Sequence, residues 1–315
     1  MAISSSTRIF LAGHKGFIGS AVFEHLKKNG FYEIITLPRE DLDLCNSAET
    51  TSVLKREQPE IVINAAGRSG GVTYNKKHPA SLSLHNLMIQ NSLFSAALNV
   101  GSVSRLIYFG SSCMYSRNSE FPMNENTLFK GELEQTSFAY AMAKLSGISL
   151  TEAINTEFNR PKVTALIPSG VYGPGDDFDP NSSHVVAALI RKFVEAKKQN
   201  LHEVTLYGDG TPIRQFIYVK DLADFVVFCL SRSIEVPGVY NVGDLLSVTI
   251  KDLAEMILEL LNCDIRILWD RSKPNGAPYK VLDTTKSSLI GWNPKTSLQN
   301  GLKETIDFFS KKYNS

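Results

Sequence analysis

Features that would direct a protein to a membrane or a nucleic acid are missing from this 315-residue sequence. No apolar run approaches the roughly 18 residues that cross a bilayer as a helix. Lysine and arginine (33) nearly balance aspartate and glutamate (32), and a net charge of +1 gives no field that would attract a polyanion. The first residues also lack the long apolar core of a signal peptide. We therefore expect a cytoplasmic protein whose partner is neither a membrane nor a nucleic acid.

Cysteine is scarce as well. The four cysteines lack the spacing that is typical of disulfide frameworks and of metal sites; they are Cys45, Cys113, Cys229 and Cys263. This usage suits a reducing compartment. The sequence therefore predicts no metal centre.

Short β-branched runs alternate with longer helical patterns through the first half of the chain. Continuous apolar strands separated by helices are typical of a parallel sheet that is covered on both faces. We therefore predict an α/β protein built on a doubly wound parallel sheet of the Rossmann type. The predicted strands are 8–13, 33–37, 60–66, 105–110 and 162–168, and the predicted helices are 20–30, 81–101 and 138–158.

The pattern changes after Pro168. Residues 170–183 are dense in glycine, proline, aspartate and serine, which predicts a loop, and a helix is predicted over 184–198. Residues 216–230 predict a strand and a helix, and residues 245–262 predict one further helix. Since no linker or repeat separates these elements from the first half, we expect a second, smaller α/β domain that is interleaved with the first.

The segment LAGHKGFIG carries the first chemical motif. Gly13, Gly16 and Gly19 lie three residues apart, after a predicted strand and at the start of a helix. In this arrangement the first glycine permits a tight turn, the second lets the backbone approach a pyrophosphate, and the third allows close helix packing. A glycine-rich turn can also be only a turn. Its place between two clear elements favours dinucleotide binding.

The choice of dinucleotide depends on the residues that follow the second strand. An acidic residue there would favour NAD, whereas Arg39 stands near that position and Lys15 lies inside the glycine loop. Two cations favour a 2′-phosphate, although each could be a solvated surface charge. The sequence therefore predicts NADP(H) as the cofactor.

Tyr140 and Lys144 form a second motif, four residues apart on one face of a predicted helix. A tyrosine with a pKa near 10 is a poor acid–base group at neutral pH, and a lysine one turn away favours its phenolate. The spacing is common by chance, but here a glycine loop and a GSS segment precede it. The combination resembles the extended short-chain dehydrogenase/reductase family. That resemblance implies a catalytic triad of Ser111, Tyr140 and Lys144.

Five blocks narrow the resemblance to one branch of that family. They are GHKGFIGSA, NAAGRSGGV, GSSCMY, GVYGPGDDF with NSSHV, and YGDGTPIRQFIYVKDLA. Together they make nearly the whole chain similar to the GDP-L-fucose synthases, the NADPH-dependent 3,5-epimerases and 4-reductases of GDP-4-keto-6-deoxy-D-mannose. The resemblance implies that Cys113 is the epimerisation base and His184 the acid. Read alone, Cys113 could be a small buried hydrophobe and His184 simply the start of a helix.

The implied chemistry is consistent with the residues. A ketone at C4 acidifies the protons on C3 and C5, so a base on one face of the sugar and an acid on the other can invert each centre. Tyr140 and Ser111, hydrogen-bonded to the C4 oxygen, would stabilise the resulting enolate. The same pair would hold that oxygen while NADPH reduces C4 and Tyr140 protonates the oxygen.

The resemblance also implies the binding residues and the domain division. For the GDP-sugar, it implies a basic diphosphate clamp and an aromatic residue that stacks on guanine: Lys192, Arg214, Lys280 and Tyr207.

Residues 1–167 and 215–245 would bind NADP, and residues 168–214 and 246–315 would bind the sugar nucleotide. Helices 81–101 and 138–158 would supply a two-helix homodimer face. The expected cofactor contacts are Gly13, Lys15, Gly16, Phe17, Ile18, Gly19, Arg39, Asp43, Leu44, Ala65, Ala66, Gly67, Tyr140, Lys144, Pro168 and Val171.

The chain departs from the family pattern close to the expected sugar site. Gly170, Gly175 and Asp177 stand where Asn, His and Asn are usual, and SFAYA replaces NEPYA. Two alternatives therefore stay open. One is a C4-reductase that acts on a GDP-4-keto-sugar without epimerisation, giving GDP-D-rhamnose or a related deoxy sugar or heptose. The other is a non-catalytic NADP-sensing homologue, against which the intact triad argues.

Overall fold

The computed structural model describes residues 5–231, 236–273 and 275–313. The strands are β1 Ile9–Ala12, β2 Ile34–Ile35, β3 Ile61–Asn64, β4 Arg105–Phe109, β5 Lys162–Pro168, β6 Gly170–Tyr172, β7 Glu203–Tyr207, β8 Ile213–Tyr218, β9 Gly238–Val242, β10 Ser247–Thr249, β11 Arg266–Asp270 and β12 Tyr279–Lys280. The helices are α1 Phe17–Lys28, α2 Ser47–Glu57, α3 Val72–Lys77, α4 Pro79–Asn99, α5 Phe138–Glu157, α6 Val185–Lys198, α7 Val219–Ser231, α8 Ile250–Leu261, α9 Thr285–Leu289 and α10 Leu298–Tyr313. Among the described residues, no helix is both long and apolar enough to cross a membrane.

Six parallel strands form the main sheet, in the order β2-β1-β3-β4-β5-β9. Successive side chains of a strand point to opposite faces, and here both faces are buried. Val62 and Leu106 belong to a core shared with α4 and α5, while Ile61 and Ile107 belong to a second core shared with α1 and α7. The predicted doubly wound parallel sheet is confirmed. Because the strand order reverses between β1 and β3, the crevice at their carboxyl ends is the expected ligand position.

A smaller α/β layer is built from the remaining strands. Strand β8 is its centre, pairing antiparallel with β10 and parallel with β12 and β6, while β7 and β11 form a separate parallel pair. Helices α6, α8 and α10 pack on these strands around a third core that contains Phe178, Phe193 and Leu253. The predicted smaller α/β unit is thus present, and it lies beside the carboxyl edge of the main sheet where β5 continues into β6.

Two predictions of local structure are wrong. The predicted loop 170–183 begins with β6, whose Gly170 lies so close to Phe216 of β8 that a Cβ there would be 2.8 Å from the ring. The predicted helix 245–262 is instead β10 followed by α8. The helix begins only after Thr249, because Thr249 and Asp252 cap it reciprocally through side chain and backbone.

The domain division remains a prediction. Within residues 215–245, β9 joins the main sheet, whereas β8 is the central strand of the smaller layer. The two layers therefore exchange strands along this part of the chain.

Candidate active site

The glycine turn after β1 is closely packed on two sides. Gly13 has a φ of +82°, and the Gly16 amide donates to the Gly13 carbonyl at 2.9 Å. A Cβ at Gly13 would lie 2.6 Å from the amide nitrogen of Ala66, and one at Gly19 would overlap the Gly13 carbonyl. These positions require glycine because the turn is pressed against the segment after β3 on one side and against α1 on the other.

The start of α1 is open to an anion. Gly16 is its N-cap, no side chain caps it, and its first turn contains no acidic residue. The first amides of a helix are unpaired within the helix and carry partial positive charge. Lying at the β1/β3 crevice, this cradle fits the pyrophosphate of a dinucleotide.

The other predicted cofactor residues lie at the ends of neighbouring strands. Ala65, Ala66 and Gly67 follow β3, Pro168 ends β5 and Val171 lies in β6, whereas Asp43 and Leu44 lie between β2 and α2. The position of a Cβ on Gly67 would be 3.7 Å from the Lys144 ammonium, which links this segment to the Tyr140–Lys144 helix. The cofactor and triad residues thus meet around one edge of the sheet.

The predicted 2′-phosphate cations, Lys15 and Arg39, are both exposed. Burial lowers the pKa of His85, and the charges of Arg68 and Arg39 lower it further. Arg39 and Arg68 therefore both lie close enough to His85 for their charges to affect it. The sequence analysis missed Arg68, although the NAAGRSGGV block contains it.

Ser111 and Tyr140 meet at the end of β4. Ser111 caps a short 3₁₀ turn over Ser112–Met114, and its hydroxyl accepts from the Cys113 amide at 3.3 Å. Tyr140, in the first turn of α5, is buried and hydrogen-bonded to the Ser111 side chain. Burial raises the pKa of Tyr140, the nearby Cys113 raises it further, and the bond to Ser111 opposes them. Tyr140 is therefore a neutral phenol that can donate a proton.

Lys144 lies one turn along α5, with its ammonium donating to the Phe109 carbonyl at 2.9 Å and lying 5.2 Å from the centre of the Tyr108 ring. Burial lowers the pKa of Lys144 to about 8. The sequence argument expected this lysine to favour the Tyr140 phenolate. In the structure, burial has the largest effect on the Tyr140 pKa and raises it, so Tyr140 is best described as an acid.

Cys113 lies next to a positive charge although its sulfur is closely packed by other side chains. The Lys280 ammonium is 3.3 Å from its sulfur. Burial alone would raise the pKa of the thiol. The charge of Lys280 and hydrogen bonds with Ser111, Lys280 and Ser137 outweigh burial, and the pKa is lowered. Ser137 was not predicted, and Lys280 was predicted for the diphosphate rather than for the thiol.

His184 is the N-cap of α6 and is an exposed residue, although enough protein surrounds it to affect its pKa. Burial lowers its pKa, the charge of Lys280 lowers it further, and the Asp177 carboxylate opposes both. The loop before it is firmly held: Asp177 accepts from the Ser182 hydroxyl and from the Asp179 amide. Lys280 therefore acts electrostatically on both predicted epimerisation residues.

The four predicted substrate residues fall into two pairs. Lys280 on β12 is the register partner of Arg214 on β8, and both are half-buried. Lys192 on α6 donates to the Thr205 carbonyl at 2.8 Å and lies 5.8 Å from the centre of the Tyr207 ring, which is 69% exposed. An exposed ring beside an ammonium suits a stacked base, and the half-buried Arg214 suits a phosphate.

Two of the departures from the family pattern have a structural reason. Gly170 is pressed against Phe216, as described above, and Gly175 has a φ of +90°, a conformation that strains any residue with a side chain. Asp177 replaces an amide by a carboxylate that faces His184. The departures therefore alter loop geometry and the charge beside His184, and they leave the predicted triad and Cys113 in place.

Comparison with known proteins gives a consistent result. The model of the NAD dependent epimerase/dehydratase family matches residues 9–243. A probable GDP-L-fucose synthase 1 of Oryza sativa is 40% identical over 96% of this chain and 92% of its own length, and the GDP-L-fucose synthase of Escherichia coli is 36% identical over 97% of each. Among solved structures, a GDP-mannoheptose C4 reductase of Campylobacter jejuni with NADP bound is 27% identical, with a TM-score of 0.86 and coverage of 98% and 99%.

Proposed function

Since the chain belongs to the NAD dependent epimerase/dehydratase family, we propose that it is an NADP-dependent epimerase and reductase that converts GDP-4-keto-6-deoxy-D-mannose to GDP-L-fucose. Relatives named GDP-L-fucose synthase, at 36–40% identity over nearly the full chain, support this assignment. NADP(H) is the cofactor, supported by the glycine cradle and by the exposed Arg39.

One observation carries the proposal: a thiol of lowered pKa and a neutral phenol share the Ser111 side chain as a hydrogen-bond partner. A reductase requires the phenol and the serine. A thiol that can ionise beside them adds a base, and a base beside an oxygen-binding pair is what abstraction of a proton next to a ketone needs.

Epimerisation follows from this arrangement. The Cys113 thiolate removes the proton from C3 or C5 of the sugar, while Tyr140 and Ser111 hold the C4 oxygen on which the enolate charge develops. His184 returns a proton from the opposite face, so the centre inverts. The lowered pKa of the thiol supports Cys113 as the base, and the Asp177 charge, which opposes the lowering of the His184 pKa, supports His184 as the acid.

Reduction uses the same oxygen-binding pair. When bound, NADPH supplies the hydride for C4. Gly13, Gly16 and Gly19 would hold its pyrophosphate at the start of α1. Tyr140 donates its proton to the C4 oxygen, and Lys144 keeps a positive charge beside the segment that follows β3.

We assign the GDP group to the smaller layer. Arg214 and Lys280, neighbours across β8 and β12, supply cations for the diphosphate, and Tyr207 with Lys192 supplies a stacking surface for guanine. The same assignment makes the sugar point toward Cys113, since Lys280 contacts that thiol.

We further propose a homodimer in the cytoplasm. Leu84 and Met88 on α4, and Phe138 and Met142 on α5, are exposed apolar side chains one helical turn apart, and α4 contacts α5. An apolar face of this kind is typical of a protein interface. The four free cysteines suit a reducing compartment.

The product decides between this function and its alternatives. The protein is incubated with NADPH and GDP-4-keto-6-deoxy-D-mannose, the absorbance of NADPH is followed, and the product is identified by NMR. We expect GDP-L-fucose. A GDP-D-rhamnose product would contradict the epimerase and establish the C4-reductase, for which the C. jejuni heptose reductase is a relative of lower identity. No oxidation of NADPH would contradict the proposed function and leave a reductase of another GDP-keto-sugar or a non-catalytic homologue.

A further inference from the structure

Lys280 lies beside Cys113 although 167 residues separate them in the sequence, with 3.3 Å between ammonium and sulfur. Cys113 is carried by the 3₁₀ turn after β4, in the main sheet, whereas Lys280 belongs to β12, in the smaller layer. The contact therefore joins the two layers at the cleft.

Strand β12 is held in place by β8, so this contact is part of the fold. Tyr279 and Lys280 pair with Ile213 and Arg214 of β8. On the chain that follows, the Leu282 amide donates to the buried Gln215 side chain at 3.0 Å. Lys280 itself is only half-exposed. A lysine held in this way loses less rotamer freedom on contact than an ordinary surface lysine does.

We propose that Lys280 is a positioning residue that keeps Cys113 as a thiolate for proton abstraction from the sugar, a role that rests on the proposed function. The sequence resemblance implies a diphosphate contact for this lysine, and the geometry adds a second role.

The groups around the thiol support this role. Besides Lys280, Ser111 and Ser137 form hydrogen bonds with Cys113, and Tyr140 faces it as a neutral phenol. The charges of Lys280 and of the Asp177 carboxylate both act on His184, in opposite directions. Lys280 is thus the charge that acts on the sulfur most strongly, and a positive charge favours the anionic form of a thiol.

The proton balance is simple. The C3–H or C5–H bond breaks, an S–H bond forms on Cys113, and the electron pair moves to the C4 oxygen held by Tyr140 and Ser111. Lys280 keeps its proton throughout. His184 then protonates the carbon, so before the next centre inverts, the thiol returns a proton to solvent and His184 takes one up. A nearby ammonium speeds that return, because it again favours the thiolate.

Alkylation of Cys113 tests the pairing without any substrate. The rate at which iodoacetamide modifies Cys113 is measured from pH 5 to 11 by peptide mapping, in the native protein and in Lys280→Met. We expect the native midpoint to lie below the ordinary value for cysteine, about 8.5, and to rise by about one to three pH units in Lys280→Met. Lys280→Arg should restore most of the shift. Lys273→Met, an exposed lysine in the preceding loop, is the matched control and should leave the midpoint unchanged.

Two results would overturn the proposal: a native midpoint at or above the ordinary value, or equal midpoints in native protein and Lys280→Met. The first needs no variant, so a Lys280→Met protein that fails to fold leaves the test intact. A shifted midpoint in a protein that does not exchange C3 and C5 protons would instead contradict the proposed function while retaining the lysine–thiol pairing.

Discussion

The two sides of the cleft are built differently. On the cofactor side, the chemistry lies in short segments: three glycines within one βα turn, and Tyr140 and Lys144 one helical turn apart. On the thiol side, the charge of Lys280 lowers the pKa of Cys113, and Lys280 belongs to a strand of the other sheet. Binding a dinucleotide can thus be set by local sequence, whereas deprotonating a sugar depends on how the two layers meet.

The two lysines show the same contrast. Lys144 is buried and donates to a backbone carbonyl, and burial lowers its pKa to about 8. Lys280 is half-exposed and contacts a thiol, so its charge changes the chemistry of its partner. If this division is right, variants on the cofactor side should change reduction and cofactor choice, and variants on the thiol side should change proton exchange.

Tyr140 should give the largest effect, because its hydroxyl serves both sides. In Tyr140→Phe we expect reduction to slow by about a hundred- to ten-thousandfold, since the ring stays and the proton donor is lost. NADPH affinity, measured by fluorescence titration, should remain near the native value. Tyr115→Phe removes another buried hydroxyl, which donates to Asn241 at 2.6 Å, and serves as the control. Near-native turnover in Tyr140→Phe would remove the phenol from the mechanism.

Arg39 tests the cofactor side alone. Arg39→Ala should weaken NADPH binding about ten- to a hundredfold and leave NADH binding unchanged, because a hydrogen bond to a charged group contributes about 1.5–3 kcal/mol. Arg56→Ala removes an exposed arginine of α2 and should change neither. Equal affinity of the native protein for NADPH and NADH would contradict this assignment. If Arg39→Ala still prefers NADPH to NADH, Arg68 becomes the next candidate for the contact with the 2′-phosphate.

Asp177→Asn should give the smallest effect, and the effect should be confined to the proposed acid, His184. The Asp177 carboxylate raises the pKa of His184 against the lowering by burial and by Lys280. Asp177→Asn should therefore lower that pKa, so less His184 is protonated at a given pH. The alkaline limb of GDP-L-fucose formation should move to lower pH, by up to about one unit. Asp179→Asn, in the same loop, should not move it, and a shift to higher pH would contradict the assignment.

Much of the main sheet and the cofactor cradle could be predicted from the sequence. The reason is physical: apolar runs, helical periodicity and a glycine turn are local, and Gly13, Gly16 and Gly19 have little freedom once β1 and α1 are in place. The short strands β6 and β10 were missed because their stability comes from pairing with β8, far away in the sequence.

The thiol's surroundings could be predicted only in part. A family pattern indicated Cys113 and His184, but it assigned Lys280 to the diphosphate alone. Its contact with sulfur depends on the register of β12 against β8, which no spacing reveals. Ser137 lies in a short turn before α5 and begins the SFAYA segment, which the sequence analysis named only as a departure from the family pattern. The effect of a charge in one layer on a side chain in the other can be recognised only from the three-dimensional structure.

The central claim is that Cys113 is a base and that epimerisation is separable from reduction. It is tested by incubating the GDP-keto-sugar with native protein and with Cys113→Ser in deuterated water, without NADPH, and following C3 and C5 by NMR. We expect the native protein to introduce deuterium at both carbons and Cys113→Ser, which keeps the triad and NADPH binding, to do so at least about a hundredfold more slowly. Exchange at the native rate in Cys113→Ser would show that the thiol is structural and would contradict the account.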